Sequence, residues 1–185
     1  FTSTVTAERF RLYSDLDGAV RVKEFALFPP NPAPGTGTEQ GYALGTDVEW
    51  NLARKRPAVA SSVSGTNYAK LAVDGFVSSA SKWQTTSVGA ATLDIDLRVA
   101  TKIGSAHLYS GDGAVAPLAA FDLQYWEGAA WLAIPGGSVT GNTSAASAIT
   151  FSTAVTTSMV RLSFANATTS AVRELCIFPA NGGAG

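Results

Sequence analysis

Apolar and polar residues alternate in short runs along most of this chain, and Gly, Ser, Asn and Pro separate the runs. The clearest run is Ala91 to Val99, ATLDIDLRV, where every second side chain is apolar, as in a strand with one buried face. Ile103 to Tyr109 reads as a further strand and opens into the Gly-rich loop Ser110 to Pro117. Phe121 to Trp126, FDLQYW, alternates again, and Glu127-Gly128 turns it into Trp131 to Ile134. After a loop of Gly, Ser, Thr and Asn over 135–146 come Ala148 to Phe151, Met159 to Phe164 and Val172 to Phe178. Many short strands with closely spaced turns and no helical period predict an antiparallel β-sandwich or barrel.

The opening stretch adds a second kind of pattern. Arg9 to Tyr13 and Val20 to Phe28 read as strands around the turn Asp15 to Gly18. The whole segment FTSTVTAERFRLYSDLDGAVRVKEFALFPPN recurs without a gap as FSTAVTTSMVRLSFANATTSAVRELCIFPAN, Phe151 to Asn181, at a constant offset of 150 residues. A repeat at domain-length spacing predicts tandem copies of one unit. Residues 1–34 are then the closing strands of a preceding repeat, and their unpaired edges are expected to add to a sheet of the neighbouring domain or to pair with another molecule. The Pro- and Gly-rich segment 35–47 predicts a linker. The main domain is expected over 48–182.

Composition removes several classes of function. Hydrophobic residues make up 46% and charged residues 15% of the 185, and a net charge of −1 gives no general attraction to nucleic acid or anionic membranes. Cys176 is the single cysteine, so neither an intrachain disulfide nor a cysteine-based zinc cluster can form, and its apolar run places it in the core. No apolar run reaches the length of a membrane span. The start lacks the layout of a signal peptide, as expected of a piece excised from a larger protein. His107 is the single histidine and lies inside a strand pattern, with no nucleophile elbow and no phosphate-binding glycine motif in the chain. Asp94 and Asp96 share a strand face, but neighbours so nearly parallel do not flank a scissile bond. No catalytic residue is expected. Asn142 and Asn166 stand in glycosylation sequons.

The stretch Leu71 to Trp83, LAVDGFVSSASKW, carries candidate metal chemistry. Asp74-Gly75 favours a tight turn, because glycine tolerates positive φ and the aspartate bonds its own backbone. The Asp74 carboxylate, backbone carbonyls and the Ser81 hydroxyl make an irregular all-oxygen set suited to calcium. Trp83 is expected to anchor the far end of the loop in apolar surroundings.

The series NLARKRPAVASS, KLAVDGFVSSASKW, ATLDIDL, FDLQYWEGAAWLAIPG, VRL and VRELCIF resembles the successive signatures of discoidin, or coagulation factor 5/8 type C, domains, from about Trp50 to Asn181. The resemblance implies an all-β fold, an antiparallel jelly-roll sandwich of about eight strands, here with an extra N-terminal strand pair. It implies a structural calcium held by the carbonyls of Leu71, Phe76 and Arg173, the Asp74 side chain, Ser81 through carbonyl and hydroxyl, and the Glu174 carboxylate. It also implies a noncatalytic role, which in bacterial relatives is attachment to polysaccharide-degrading enzymes as carbohydrate-binding modules.

A sugar site needs an aromatic face for the apolar side of the ring and polar groups for its hydroxyls. Tyr109 and Asp112, beside His107, meet that need, with Lys82, Gln84 and Asn166 as partners from neighbouring loops. Trp126 and Trp131 are alternative platforms, of which at least one is expected in the core. The expectation is therefore a secreted, calcium-containing, carbohydrate-binding module whose partners are a polysaccharide or oligosaccharide and the other domains of its parent enzyme. A cell-surface or protein-binding adhesion domain is the alternative.

Overall fold

The computed structural model describes residues 51–86, 89–166 and 168–180. The expected N-terminal strand pair, the linker and Trp50 lie outside the described residues, as does the side chain of Asn166.

Seven strands form one antiparallel, hydrogen-bonded network: β1 (Ala58–Ala60), β2 (Trp83–Gln84), β3 (Gly89–Ser110), β4 (Phe121–Trp126), β5 (Trp131–Val139), β6 (Ala146–Asn166) and β7 (Ala171–Pro179). A single turn of 3-10 helix, Ala69–Ala72, precedes the Asp74 loop. The order β2-β7-β3-β6-β4-β5, with β1 beside β3, makes β3 and β6 a shared spine. The first half of β3 pairs with β1 at 93–95, and the second half pairs with β7 from Ile103 onward. β6 follows β3 through both halves and takes β4 only at 160–163. The network therefore closes into the two layers of the predicted β-sandwich.

The alternation read from the sequence explains which face each strand buries. Leu93, Ile95 and Leu97 on β3 are buried, as are Val160, Leu162 and Phe164 on β6, while Thr92, Asp94 and Asp96 point outward. The core between the layers is completed by Ile103, Leu108, Leu123, Ile134, Leu175 and Ile177. Trp83 is fully buried, donates Nε1–H to the Ser62 carbonyl at 2.8 Å and lies 5.7 Å from Phe164 between ring centroids. The loop anchor predicted for it is present. Cys176 is likewise buried.

Two strand boundaries differ from expectation. Ala91–Val99 and Ile103–Tyr109 are one strand, because the ladder with β6 shifts register between Asp96 and Thr101 without breaking. Arg98, at φ 73°, makes the bend, and its N–H bonds Asp96 Oδ1 at 2.7 Å. The runs at 148–151 and 159–164 are likewise joined in β6, whose polar middle remains paired with β3.

The tryptophan pair also differs. Neither Trp126 nor Trp131 enters the core. They sit opposite one another across the β4–β5 hairpin and pack edge to face on its outer side, with centroids 5.4 Å apart. Inward positions on β4 are taken by Phe121 and Leu123, so period two places Trp126 outside. Arg161 lies over the Trp131 ring at 4.2 Å and grips Asp94 through Nε and Nη2 at 2.6 and 2.7 Å. The hydrogen-bonded carboxylate raises the Arg161 pKa. Asp94 is thus a cross-strand tie, and Asp94→Asn is expected to cost about 1 kcal/mol in chemical denaturation while leaving ligand binding unchanged.

Candidate functional site

β3 and β6 fold double, so both ends of each strand emerge at the same pole. Hydrogen bonds knit the loops there together. Ser110 N–H donates to the Ala145 carbonyl, Gly111 N–H to Ala171, Asn142 N–H to Ala119 and Thr85 N–H to Ser170, at 2.8 to 3.0 Å. Gly111, at φ 71°, lets the loop leave β3. Asp112 then organises it, accepting from the N–H groups of Ala114 and Val115 at 3.0 and 2.7 Å and from Lys82 Nζ. The hydrogen bond from Lys82 holds the Asp112 carboxyl below its usual pKa. Its side chain is only 5% exposed, so this carboxylate binds its own loop to the 73–82 loop.

His107 and Tyr109 stand two residues apart on the outer face of β3, both half-buried. His107 packs edge-on against Phe178 with centroids 5.1 Å apart. Across the ladder β6 presents only Ala148 and Ala146 to them, both exposed. The rings therefore face a strand of small side chains. Arg173 completes this corner. The register pairs Tyr109 with Glu174 and Ser110 with Val172, which leaves Arg173 as the extra residue of a β-bulge. Its Nη2 reaches across β3 to the Ala145 carbonyl at 3.1 Å, beside the residue paired with Tyr109. Of the six expected ligand residues, the structure groups His107, Tyr109, Lys82 and Asp112 at this pole. Gln84 is engaged on β2, accepting from Asn67 Nδ2 at 3.0 Å.

Of the expected cation residues, Asp74 and Ser81 are bonded to one another and Glu174 is joined to their loop through Gly75. Asp74 Oδ1 accepts from Phe76 N–H at 2.9 Å, and Oδ2 accepts from the Ser81 hydroxyl. Gly75 has φ 93°, which favours glycine, and a Cβ there would lie 2.8 Å from the flexible Arg54 Nε. Gly75 N–H donates to Glu174 Oε2 at 3.2 Å. Glu174 is fully buried and its other oxygen accepts from Asn51 Nδ2 at 3.1 Å. Burial pushes its pKa up to about 8, and the nearby Asp74 charge adds to the rise. A buried carboxylate bonded only by neutral donors, beside a second carboxylate and a hydroxyl, fits a hard divalent cation. Among the described residues no three His, Cys, Asp or Glu side chains converge, so such an ion would depend on backbone oxygens such as those of Leu71, Phe76 and Arg173. Phe76 itself is 62% exposed, consistent with a role for its carbonyl alone.

Two contributors escaped the sequence reading. Asn51 fixes the domain entry, its Oδ1 accepting from Ala53 and Ile177 N–H at 2.9 and 3.0 Å while its amide serves Glu174. Its position at the head of NLARKRP was the available signal. The Arg173 guanidinium was also missed, because the bulge that turns it toward Tyr109 has no mark in VRELCIF.

The sequence matches the F5/8 type C domain over residues 57–175, well over half of the chain. The chain belongs to this family. No curated protein matches it. Among solved structures, the lectin domain of lectinolysin complexed with Lewis B antigen is 27% identical, covering 71% of this chain and 97% of that one, with TM-score 0.60. Chitosan-binding module 2 of a chitosanase/glucanase from Paenibacillus sp. IK-5, solved with chitotriose, is 24% identical over 69% of this chain and 99% of that one, with TM-score 0.59. A Streptococcus pneumoniae fucose binding module is 20% identical over 70% and 95%, with TM-score 0.61. Among the described residues no helix is long and apolar enough to cross a membrane.

Proposed function

We propose that this domain is a noncatalytic carbohydrate-binding module, and that the pole carrying His107, Tyr109 and Arg173 is its glycan site. The observation that carries this reading is the corner itself: an aromatic ring and an imidazole side by side, opposite exposed alanines, with a guanidinium at the edge and loops held in place by hydrogen bonds. A sugar ring stacks its apolar face on an aromatic and offers its hydroxyls to such donors. Family membership and the sugar-binding modules that share the fold support the same assignment.

In this reading the module belongs to a secreted multidomain protein that degrades polysaccharide. It spans 48–182, after a linker at 35–47 and the closing strands of a preceding repeat at 1–34. A calcium ion held at Asp74, Ser81 and Glu174 fixes the loop that Lys82 ties to Asp112, so its role is structural.

Retention of the chain on a panel of immobilised polysaccharides tests the reading. One glycan should retain it and its free oligosaccharide should release it; Tyr109→Ala should weaken retention about tenfold or more in a chain that still folds. Retention by no glycan would reject the module and leave a protein-binding adhesion domain as the function to pursue.

A further inference from the structure

We infer that the glycan recognised at this pole carries an anionic group, a carboxylate or a sulfate, and that Arg173 is the residue that selects it. The inference rests on the carbohydrate-binding reading and concerns the charge of the sugar.

The argument is an inventory of charges at the corner. Arg173 Nη2 has the Ala145 carbonyl as its acceptor, and Nε is buried with no acceptor among the described residues. No carboxylate among the described residues pairs with this guanidinium. The two acids close enough in sequence and register to serve are both engaged elsewhere. Glu174, its neighbour, points its oxygens at the Gly75 N–H and the Asn51 amide. Asp112 is closed by Lys82 and by two backbone N–H groups. With no counter-charge among the described residues, a ligand that brings an anion supplies this guanidinium with a partner. The buried Nε is out of a ligand's reach, so the guanidinium meets a carboxylate or sulfate through Nη1 and the second hydrogen of Nη2. The bulge sets it beside Tyr109, so an anionic substituent would meet Arg173 while the ring of its sugar lies on the aromatic. An amino-glycan needs the opposite arrangement, an accessible carboxylate, and here Asp112 and Glu174 are turned inward.

The test compares matched polymers on the same chain: polygalacturonate against its methyl ester, and dextran sulfate against plain dextran, with chitosan as the cationic arm. The anionic member of a pair should bind about tenfold to a hundredfold tighter than its neutral partner, the range set by hydrogen bonds to charged groups. The preference should shrink as salt is raised. Arg173→Gln should erase the ratio between the charged and the neutral member of each pair, and Arg173→Lys should restore part of it. Equal binding within both pairs, tightest binding to chitosan, or a preference that survives Arg173→Gln would overturn the inference and leave the module reading in place. Binding to no glycan at all would overturn both. If Arg173→Gln does not fold, the matched polymers on the unsubstituted chain still decide.

Discussion

Calcium added to the metal-free protein is expected to raise its melting temperature, and to raise it more at pH 8 than at pH 5. The expectation follows from Glu174, which is fully buried and holds its proton until about pH 8, against an ordinary value of 4.5. In the metal-free protein the unfolded chain ionises this group first, so unfolding releases a proton between those two values. Stability therefore falls as pH rises from about 4.5 to about 8 and levels off above. A divalent cation offsets this fall. It requires the ionised carboxylate in the folded state, so its affinity climbs with pH over the same window. At a calcium concentration a hundredfold above the dissociation constant the gain is about 2.7 kcal/mol. Asp74→Ala should abolish it, and Glu174→Gln should flatten the pH dependence in chelator. Melting curves in calcium and in chelator, recorded across this range, check all three; coincident curves for the unsubstituted chain would refute the cation site.

Gly111→Ala is expected to destabilise the domain by about 2 to 3 kcal/mol and to abolish glycan retention under conditions where it stays folded. Two independent penalties fall on this residue. Its φ of 71° is left-handed, and an added Cβ would lie 2.8 Å from the Val115 carbonyl and 2.9 Å from the Pro117 nitrogen. Both are backbone atoms of the loop that Asp112 organises, so the loop must move. That shift would break the Lys82–Asp112 pair and disturb the corner beside Tyr109. Denaturant titration measures the first effect and polysaccharide retention the second. Gly113→Ala is the control: it has the same sign of φ at 93° but nothing within 4 Å of its Cβ, so it should cost less and spare binding.

What the sequence made legible tracks how local the cause is. Strand periodicity is a two-residue signal, and it placed Leu93, Ile95 and Leu97 inside and Asp94 outside. The Asp74-Gly75 turn is equally local, and the predicted curl is there. Strand continuity is not local. Arg98 adopts a conformation usually left to glycine or asparagine, so nothing in DLRVATK marks a bend that keeps its ladder. Asp112 was legible as a polar loop residue, but its function as a clasp is set by Lys82, thirty positions away. The outward Trp126 misled for a related reason. Large aromatics are mostly buried by tertiary context, and here an Arg161 from another strand gives Trp131 its cover instead.

The pairing at the domain entry has a mechanical consequence. Leu52 N–H bonds the Ile177 carbonyl at 2.8 Å, and Ala180 N–H bonds the Lys102 carbonyl at 2.9 Å. The incoming chain thus meets β7 opposite Ala106 and the outgoing chain leaves it opposite Ile103, four and seven residues along β3 from Ser110, or roughly 13 and 23 Å from the loop pole. A tether pulling through both connections would bear on Asn51 and the last turn of β7, while a ligand held at the other pole would bear on loops laced by their own hydrogen bonds. Load on Asn51 would then reach the ligand loops by two routes, along the β3–β6 spine and through Glu174, whose other oxygen holds Gly75 of the loop that Lys82 ties to Asp112.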